Sequence, residues 1–518
     1  MKRSKIKNEK LKLMSRFAGC FEEPRQRRIR NFAFCILFFA LPLTAAGQGR
    51  IDLTEAMKDS VVFLETSSYG YNLSEPWKHK ALSQNWACGC AVGEYEVITT
   101  AESVVNLAFL KALRYGQNEF VGARLVVVDY EANLCLIRLD PNELSKPLKP
   151  LTFAEDYEKG AEVDFYWLSP DSQMYNGRGH LDRTSVERTQ TSHGQRLRYV
   201  ISNASQRTAK GEVYCVGSAP IGLSCWSSRD KVAGLIPAET INGFIKSVSE
   251  GDYKGFGEVG FAISELLDPA MRSYLKMPES LGGGTFVADV YNLGTGADVL
   301  KKGDVILRID GHGLDPHGRF EHAKYQWLSF DHLITGKAAG RQVLFDIWRD
   351  GQKAKILANV KNFKPSEMLV PYHEYDKQPE YVITAGFVLQ KLTREYMLEF
   401  GSDLAGEAPS HLYHYYRDLA FKPTIERKEI VILSYVLPAQ INLGYTGLGQ
   451  IVVSKFNGMK ISSVADILKA QKLNPDSKYD VIEFEMDSPV IVIAREQLAA
   501  ENQFVSRNYG IQKLSNVN

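Results

Sequence analysis

The chain has 518 residues, of which 44% are hydrophobic and 24% are charged, enough for three or four globular domains with buried cores. This composition excludes a fibrous protein and a chain that is disordered throughout. Lys and Arg number 62 against 61 for Asp and Glu, so the net charge is +1 and no chain-wide positive field exists to attract phosphate backbones. We therefore expect no nucleic-acid partner.

The amino-terminal segment has the order of residues that is typical of a secretory signal peptide. A basic stretch from Arg25 to Arg30 leads into an apolar segment over residues 32–43, which ends at small residues. About a dozen apolar residues are fewer than the roughly 20 that span a bilayer. We predict a signal peptide over residues 1–46, a periplasmic or secreted protein, and no stable membrane span after cleavage. An uncleaved membrane anchor is the alternative.

Cysteine usage gives little evidence for a metal site. After the predicted cleavage site the chain keeps Cys88, Cys90, Cys135, Cys215 and Cys225. Because this number is odd, at least one thiol has no partner within the chain. No nearby Cys or His completes the spacing of a zinc site. The sequence predicts buried structural cysteines or one disulfide, and no metal.

Short strands dominate the first two hundred residues after the predicted cleavage site. The segments at 60–64, 96–99 and 134–139 are β-branched and are separated by polar or glycine-containing turns. This spacing predicts a barrel or a sandwich. Beyond residue 250 the pattern changes, and two segments look like the turn-strand-turn unit of a PDZ domain: GDVILRIDG at 303–311 and QIVVSKFNG at 450–458.

Further segments make a family resemblance specific through their order and spacing. They are residues 76–80, 89–92, 97–104, 383–388, 430–437 and 441–445. Together they resemble the Deg/HtrA serine proteases, and most closely the plant-type Deg branch. The resemblance implies a mostly β fold, with a trypsin-like double β-barrel over 47–250, a PDZ domain over 251–362 and a second PDZ-like domain over 363–518. It also implies homo-oligomers built from trimers and a role in protein quality control.

The catalytic positions depart from the family pattern. A protease of this kind needs an imidazole base, a carboxylate that orients it, and a serine beside backbone N–H donors. The resemblance places Glu102 at the histidine position and Asn133 at the aspartate position. The family's Gly-Asn-Ser-Gly-Gly-Pro motif is absent. Ser218 and Ser224 are the candidate serines, and the sequence leaves the choice between them open.

Neither Glu102 nor the nearby histidines offers a convincing replacement base. An ordinary Glu has a pKa of about 4.3, too low to deprotonate a hydroxyl usefully. His79, His180 and His193 lie in polar, loop-like contexts, and we interpret them as surface residues. The glycine-rich run at 281–285 lacks the spacing of a phosphate-binding loop, so we expect no cofactor.

Two functions from different classes remain. The first is a pseudoprotease that binds polypeptides, including C-terminal or unfolded segments, as a scaffolding or chaperone-like factor. The second is an active serine-type endopeptidase with a rearranged site at Ser224 or Cys225. The lost His and Asp positions favour the first.

A candidate peptide-binding loop precedes the strand expected at 262–263. PDZ domains add a peptide as an extra strand, and backbone N–H groups of an apolar-Gly-apolar loop hold its terminal carboxylate. A helix at 330–334 is expected to form the opposite wall. The alternative is that Gly260 merely opens a strand and that a neighbouring segment fills the groove. The predicted peptide-binding residues are Glu258, Val259, Gly260, Phe261, His332 and Leu333.

Overall fold

The computed structural model describes residues 53–517 except 156–157, 190, 205–209 and 487–488. The signal-peptide prediction, at residues 1–46, lies outside the described residues. Within the described part of the chain, no helix has both the length and the apolar character needed to span a bilayer.

Six strands close the first β-barrel in the order β1-β2-β3-β6-β5-β4, after a short helix, α1 (Leu53–Lys58). Thr66 and Ser68 of β1 are buried while Ser67 and Tyr69 are more exposed, because successive strand residues face opposite sides of the sheet. A 3-10 turn at Ala101–Val104 joins the third and fourth strands. The strands are β1 (Val61–Tyr71), β2 (His79–Ala91), β3 (Glu96–Thr99), β4 (Leu107–Arg114), β5 (Val121–Asp129) and β6 (Leu134–Leu139).

A second closed barrel follows, in the order β10-β11-β12-β9-β8-β7. Helix α2 (Ala238–Ser249) leaves it and buries Ile241 and Phe244, which share one helical face. The strands are β7 (Glu162–Leu168), β8 (Met174–Glu187), β9 (Arg196–Ser202), β10 (Val213–Val216), β11 (Ala219–Ser227) and β12 (Val232–Pro237). The two closed six-stranded barrels confirm the predicted trypsin-like double β-barrel. The five cysteines among the described residues lie in these barrels and are buried.

The third region is built on a sheet in the order β13-β14-β15-β19-β20, with β16 paired to β15 and a separate β17-β18 ribbon. Its buried core includes Phe261, Phe320 and Phe345. The elements are β13 (Phe261–Ser264), α3 (Pro269–Tyr274), β14 (Thr285–Val290), β15 (Val305–Ile309), β16 (His312–Gly313), β17 (Arg319–His322), β18 (Gln326–Ser329), α4 (Asp331–Thr335), β19 (Gln342–Arg349) and β20 (Gln352–Asn359).

The last region forms an eight-stranded sheet in the order β27-β26-β24-β23-β22-β21-β28, with β25 paired to β24. Its core contains Phe387, Phe456 and Ile467. Three short helices form an insertion between the second and third of its strands. The elements are β21 (Tyr381–Thr384), β22 (Phe387–Lys391), α5 (Arg394–Met397), α6 (Leu404–Glu407), α7 (Ser410–Asp418), β23 (Val431–Val436), β24 (Ile451–Phe456), β25 (Met459–Lys460), α8 (Val464–Ala470), β26 (Tyr479–Phe484), β27 (Ile491–Ala494), α9 (Arg495–Asn508) and β28 (Ser515–Asn516).

A close backbone approach joins the two barrels just before β10. The Cys88 N–H in β2 donates to Lys210 O at 2.8 Å, and the Gly211 N–H donates to Ser224 O at 2.8 Å. A Cβ on Gly211 would overlap the Cys88 carbonyl oxygen. Glycine is therefore required for the chain to pass between β2 and β11, and this passage fixes the position of Lys210.

Replacing Gly211 by Ala is expected to cost more stability than replacing Gly217 by Ala. Both glycines have positive φ, +77° and +57°, so both variants share the strain of left-handed backbone, about 1–2 kcal/mol. A Cβ at Gly217 meets open space, unlike one at Gly211. We expect Gly211→Ala to lower the free energy of unfolding by about 1–3 kcal/mol more than Gly217→Ala. Urea unfolding followed by tryptophan fluorescence measures this difference, and equal losses would contradict the close approach.

Candidate functional site

Glu102 and Asn133 lie in contact at the cleft between the barrels. Glu102 sits in the 3-10 turn after β3, and Asn133 sits in the β5–β6 turn with a φ of 57°. The Glu102 N–H donates to Asn133 Oδ1 at 2.9 Å, and Asn133 Nδ2 donates to Glu102 Oε2 at 3.3 Å. The two side chains that the resemblance assigns to the histidine and aspartate positions are therefore neighbours.

Lys210 is the third member of this arrangement. Its ammonium pairs with Glu102 Oε1, and the side chains are 37% exposed for Lys210 and 8% exposed for Glu102. Lys210 immediately precedes Gly211 and β10 in the second barrel. A serine protease arranges an orienting group, a base and a nucleophile in one hydrogen-bonded series. Asn133, Glu102 and Lys210 form a series of the same order with different chemistry.

The candidate serines lie elsewhere. Ser218 is exposed in the β10–β11 turn, and Ser224 is buried in β11, where its Oγ accepts the Glu212 N–H at 3.0 Å. Cys225 is also buried and donates to Gly234 O at 3.3 Å. Burial raises the pKa of the Cys225 thiol to about 12, which opposes formation of the reactive thiolate. Lys210 is a described residue that pairs with Glu102, and the choice between Ser218 and Ser224 stays a prediction.

Sequence reasoning missed Lys210 because it looked for a serine in a glycine-rich motif. The available signal was the Lys210-Gly211 pair, which lies directly before β10. An ammonium has three N–H donors and no acceptor, so Lys210 in its charged form has no lone pair with which to attack a carbonyl carbon. The arrangement binds and orients groups, and it lacks an imidazole to move a proton.

A cleft of about 950 Å³ opens beside this ion pair. Its walls include Phe63, Trp86 and Trp167, and Trp86 is 61% exposed. Among the described residues, Glu102 and Lys210 are the charged members of the lining, and Ser, Asn and Gln side chains are the main polar ones. The cleft therefore combines aromatic walls with a neutralised ion pair.

The predicted carboxylate loop has internal partners. The Gly260 N–H donates to Thr295 O at 2.9 Å, and a Cβ on Gly260 would lie 2.8 Å from backbone atoms of residues 293–295. Glu258 is 1% exposed, pairs with Arg196, and is also one of the residues that line the cavity described next. The Gly260 N–H thus already has a backbone partner, and peptide binding by Glu258 and Gly260 stays a prediction.

A cavity of about 290 Å³ does lie between β13 and α4. Val259 and Phe261 line it, and their role in peptide binding stays a prediction. Phe421, from the last region, also lines it and stacks on Tyr291 with ring centroids 4.9 Å apart. The alternative in which a neighbouring segment occupies part of this groove thus has direct geometric support.

Helix α4 presents different residues to this cavity from those predicted. Phe330, Asp331 and Thr335 line it. His332 and Leu333 instead line a separate cavity of about 260 Å³. Peptide binding by His332 and Leu333 stays a prediction, since a five-residue helix gives no periodicity from which to choose a face.

The chain is similar to known proteins in sequence. Residues 370–516 match the PDZ domain family. The putative protease Do-like 3, mitochondrial, of Arabidopsis thaliana is 24% identical over 418 residues, which cover 79% of this chain and 71% of that protein. The protease Do-like 2, chloroplastic, of the same plant is 26% identical over 451 residues, which cover 85% and 71%.

The chain is a homologue of the Deg/HtrA proteases. The plant-type Deg branch fits, as the sequence predicted. A solved structure, the HtrA-type protease AlgW with tripeptide, aligns with a TM-score of 0.46 and 17% identity over 60% of this chain and 97% of that one.

A buried charge network joins the regions of this Deg homologue. His193, interpreted above as a surface residue, is 5% exposed. Its Nδ1 lies 2.7 Å from Glu131 Oε1 in the β5–β6 turn, and its Nε2 lies 3.4 Å from Glu258 Oε2. His373 Nε2 lies 3.0 Å from the same Glu131 oxygen, and Arg196 pairs with Glu258. The surface interpretation of His193 was wrong, because the ring is buried. Its partners lie more than sixty residues away along the chain, so the local sequence did not indicate them.

The network places the carboxylates of Glu131 and Glu258 beside the imidazole ring of His193, and Arg196 adds a guanidinium. Ligand atoms of Glu131, His193 and Glu258 lie within 4.8 Å of one another, a spacing that a metal ion can bridge. Burial favours neutral His193, but the carboxylates of Glu131 and Glu258 outweigh it and raise the His193 pKa to about 10. His193 is thus an imidazolium at neutral pH, and with Arg196 it balances the charge of both carboxylates.

Stability of this Deg homologue is expected to fall as the pH rises from 7 to 8.5. A His193 pKa raised from 6.5 to about 10 means that the folded chain holds a proton which the unfolded chain releases. The stabilisation is complete below pH 6.5 and disappears as the pH rises through 10. The free energy of unfolding should fall by about 1.4 kcal/mol per pH unit. Urea unfolding at several pH values measures this slope.

The matched control is His193→Gln, which keeps a hydrogen-bonding side chain without a titratable ring. We expect the slope between pH 7 and 8.5 to flatten in this variant. The unfolded cysteines begin to ionise within this window as well, because burial raises the pKa of thiols such as Cys225 in the folded chain. Both chains share this contribution, so the difference between their two slopes reports His193. An unchanged slope in His193→Gln would show that another group carries the pH dependence.

Proposed function

We propose that this Deg homologue is a pseudoprotease that binds polypeptides as a scaffolding or chaperone-like factor in protein quality control. The observation that carries this proposal is the series Asn133, Glu102 and Lys210 at the cleft. Hydrolysis by the family mechanism needs a hydroxyl, an imidazole and a carboxylate at such positions. Loss of triad members from such a unit removes on the order of 10⁴ or more in rate.

Geometry at the other candidate nucleophiles supports the same proposal. Ser224 is 1% exposed and Cys225 is 2% exposed, so neither offers its side chain to a bound chain. Ser218 is exposed, but it lies in the turn beyond β10. The alternative of an active endopeptidase with a rearranged site would need one of these groups to acquire both access and a base.

We expect the full chain to leave unfolded casein intact while slowing the aggregation of an unfolded client protein. Gel electrophoresis measures cleavage, an active-site serine probe measures a reactive hydroxyl, and light scattering measures aggregation. No cleavage and no labelling are the expected results, because no described group combines a nucleophile with a base.

The controls are Ser224→Ala and Cys225→Ala. Both should behave as the parent chain in cleavage and in light scattering. Casein cleavage that disappears in either variant would overturn the pseudoprotease and establish the endopeptidase alternative.

Localisation and assembly belong to this proposal as well. The basic, apolar and small residues before residue 47 support membrane translocation of the chain. The names of the two plant relatives, mitochondrial and chloroplastic, favour an organelle over a bacterial periplasm. Homo-oligomers built from trimers remain a prediction of the family resemblance.

A further inference from the structure

The Lys210 ammonium lies at the floor of the 950 Å³ cleft with hydrogen-bonding capacity beyond Glu102. An ammonium carries three N–H donors, and its pairing with Glu102 Oε1 uses one. The side chain keeps 37% of its surface exposed, whereas Glu102 is 8% exposed. Lys210 is therefore the member of the ion pair that a molecule in the cleft reaches first.

The lining of the cleft favours a neutral, extended ligand. Among the described lining residues, Glu102 compensates the charge of Lys210, so they contribute little net charge with which to select an anion or a cation. The indole rings of Trp86 and Trp167 provide apolar contact area. A peptide group matches this floor, because its carbonyl oxygen accepts a hydrogen bond from an ammonium without bringing a net charge.

We propose that Lys210 anchors an uncleaved, extended polypeptide in this cleft by donating to a main-chain carbonyl oxygen, while Trp86 and Trp167 pack against an apolar side chain of the ligand. This inference rests on the proposed function, since it assigns a holding role to the position from which a nucleophile would attack. Lys210 then fixes the register of the bound chain, and no bond of the ligand is made or broken.

A terminally blocked, uncharged peptide with a central Phe tests this anchor, because blocked ends remove the carboxylate that a PDZ groove would hold. Fluorescence anisotropy of the labelled peptide measures its Kd for the full chain. Lys210→Met keeps the length of the side chain but removes the donors, and we expect a Kd about tenfold higher, the loss of a charge-assisted hydrogen bond. Lys353→Met, at an exposed lysine of β20 outside the cleft lining, should leave the Kd unchanged.

A double variant separates anchoring from charge compensation. Lys210→Met leaves Glu102 without its cation, so a weaker Kd could come from local unfolding. Lys210→Met with Glu102→Gln removes both charges and keeps an amide beside Asn133. The double variant should bind as weakly as Lys210→Met. Recovery of the parent Kd in the double variant would overturn the anchor.

The ligand class has its own arm. The same blocked peptide with Asp in place of a neighbouring residue should bind no tighter than the uncharged peptide. Binding that is confined to the Asp peptide and disappears in high salt would overturn the carbonyl anchor in favour of an anion site. Mass spectrometry of the recovered peptide distinguishes failure of the proposed function from failure of the Lys210 anchor. A cleaved peptide contradicts the proposed function, whereas an intact peptide with equal Kd for the parent and Lys210→Met contradicts only this inference.

Discussion

The Glu131 carboxylate is the contact on which the arrangement of the regions depends. It accepts the backbone N–H of His193 at 3.0 Å and contacts the rings of both His193 and His373. Glu131 belongs to the first barrel, His193 to the second, and His373 to the segment before β21. Burial favours the neutral acid, but the two histidines hold the Glu131 pKa below its ordinary value. One ionised side chain thus connects three parts of the chain.

The same network reaches the sheet of the third region, which begins at β13, through Arg196. Its guanidinium pairs with Glu258 and donates to Thr335 O at 2.9 Å, at the end of α4. Glu258 directly precedes Val259 and Gly260, so the loop that begins β13 is tied to the second barrel. Removing one partner of a buried ion pair leaves an unpaired charge, which costs several kcal/mol. The network therefore opposes independent movement of this sheet relative to the barrels.

Local patterns predicted the fold well and long-range contacts poorly. Alternation in strands such as β1 and the turn-strand-turn unit at 303–311 depend on neighbouring residues, and such patterns predicted a β-rich chain with a barrel or a sandwich. The family resemblance implied the double barrel, and it also located Glu102 and Asn133. His193 was misjudged because its partners come from distant segments. Lys210 was missed because no serine motif marks it and because its partner, Glu102, lies 108 residues earlier in the chain.

The β5–β6 turn relates the cleft to the buried network. Glu131 and Asn133 are two residues apart on this turn, and the Ala132 N–H between them donates to Asp129 at 2.8 Å. Asn133 holds the backbone and carboxylate of Glu102, while Glu131 holds His193. A shift of this short turn would move both partners together, because its backbone is fixed at both ends. Contacts of this one turn therefore support both the Glu102–Lys210 ion pair at the cleft and the attachment of the sheet in the third region.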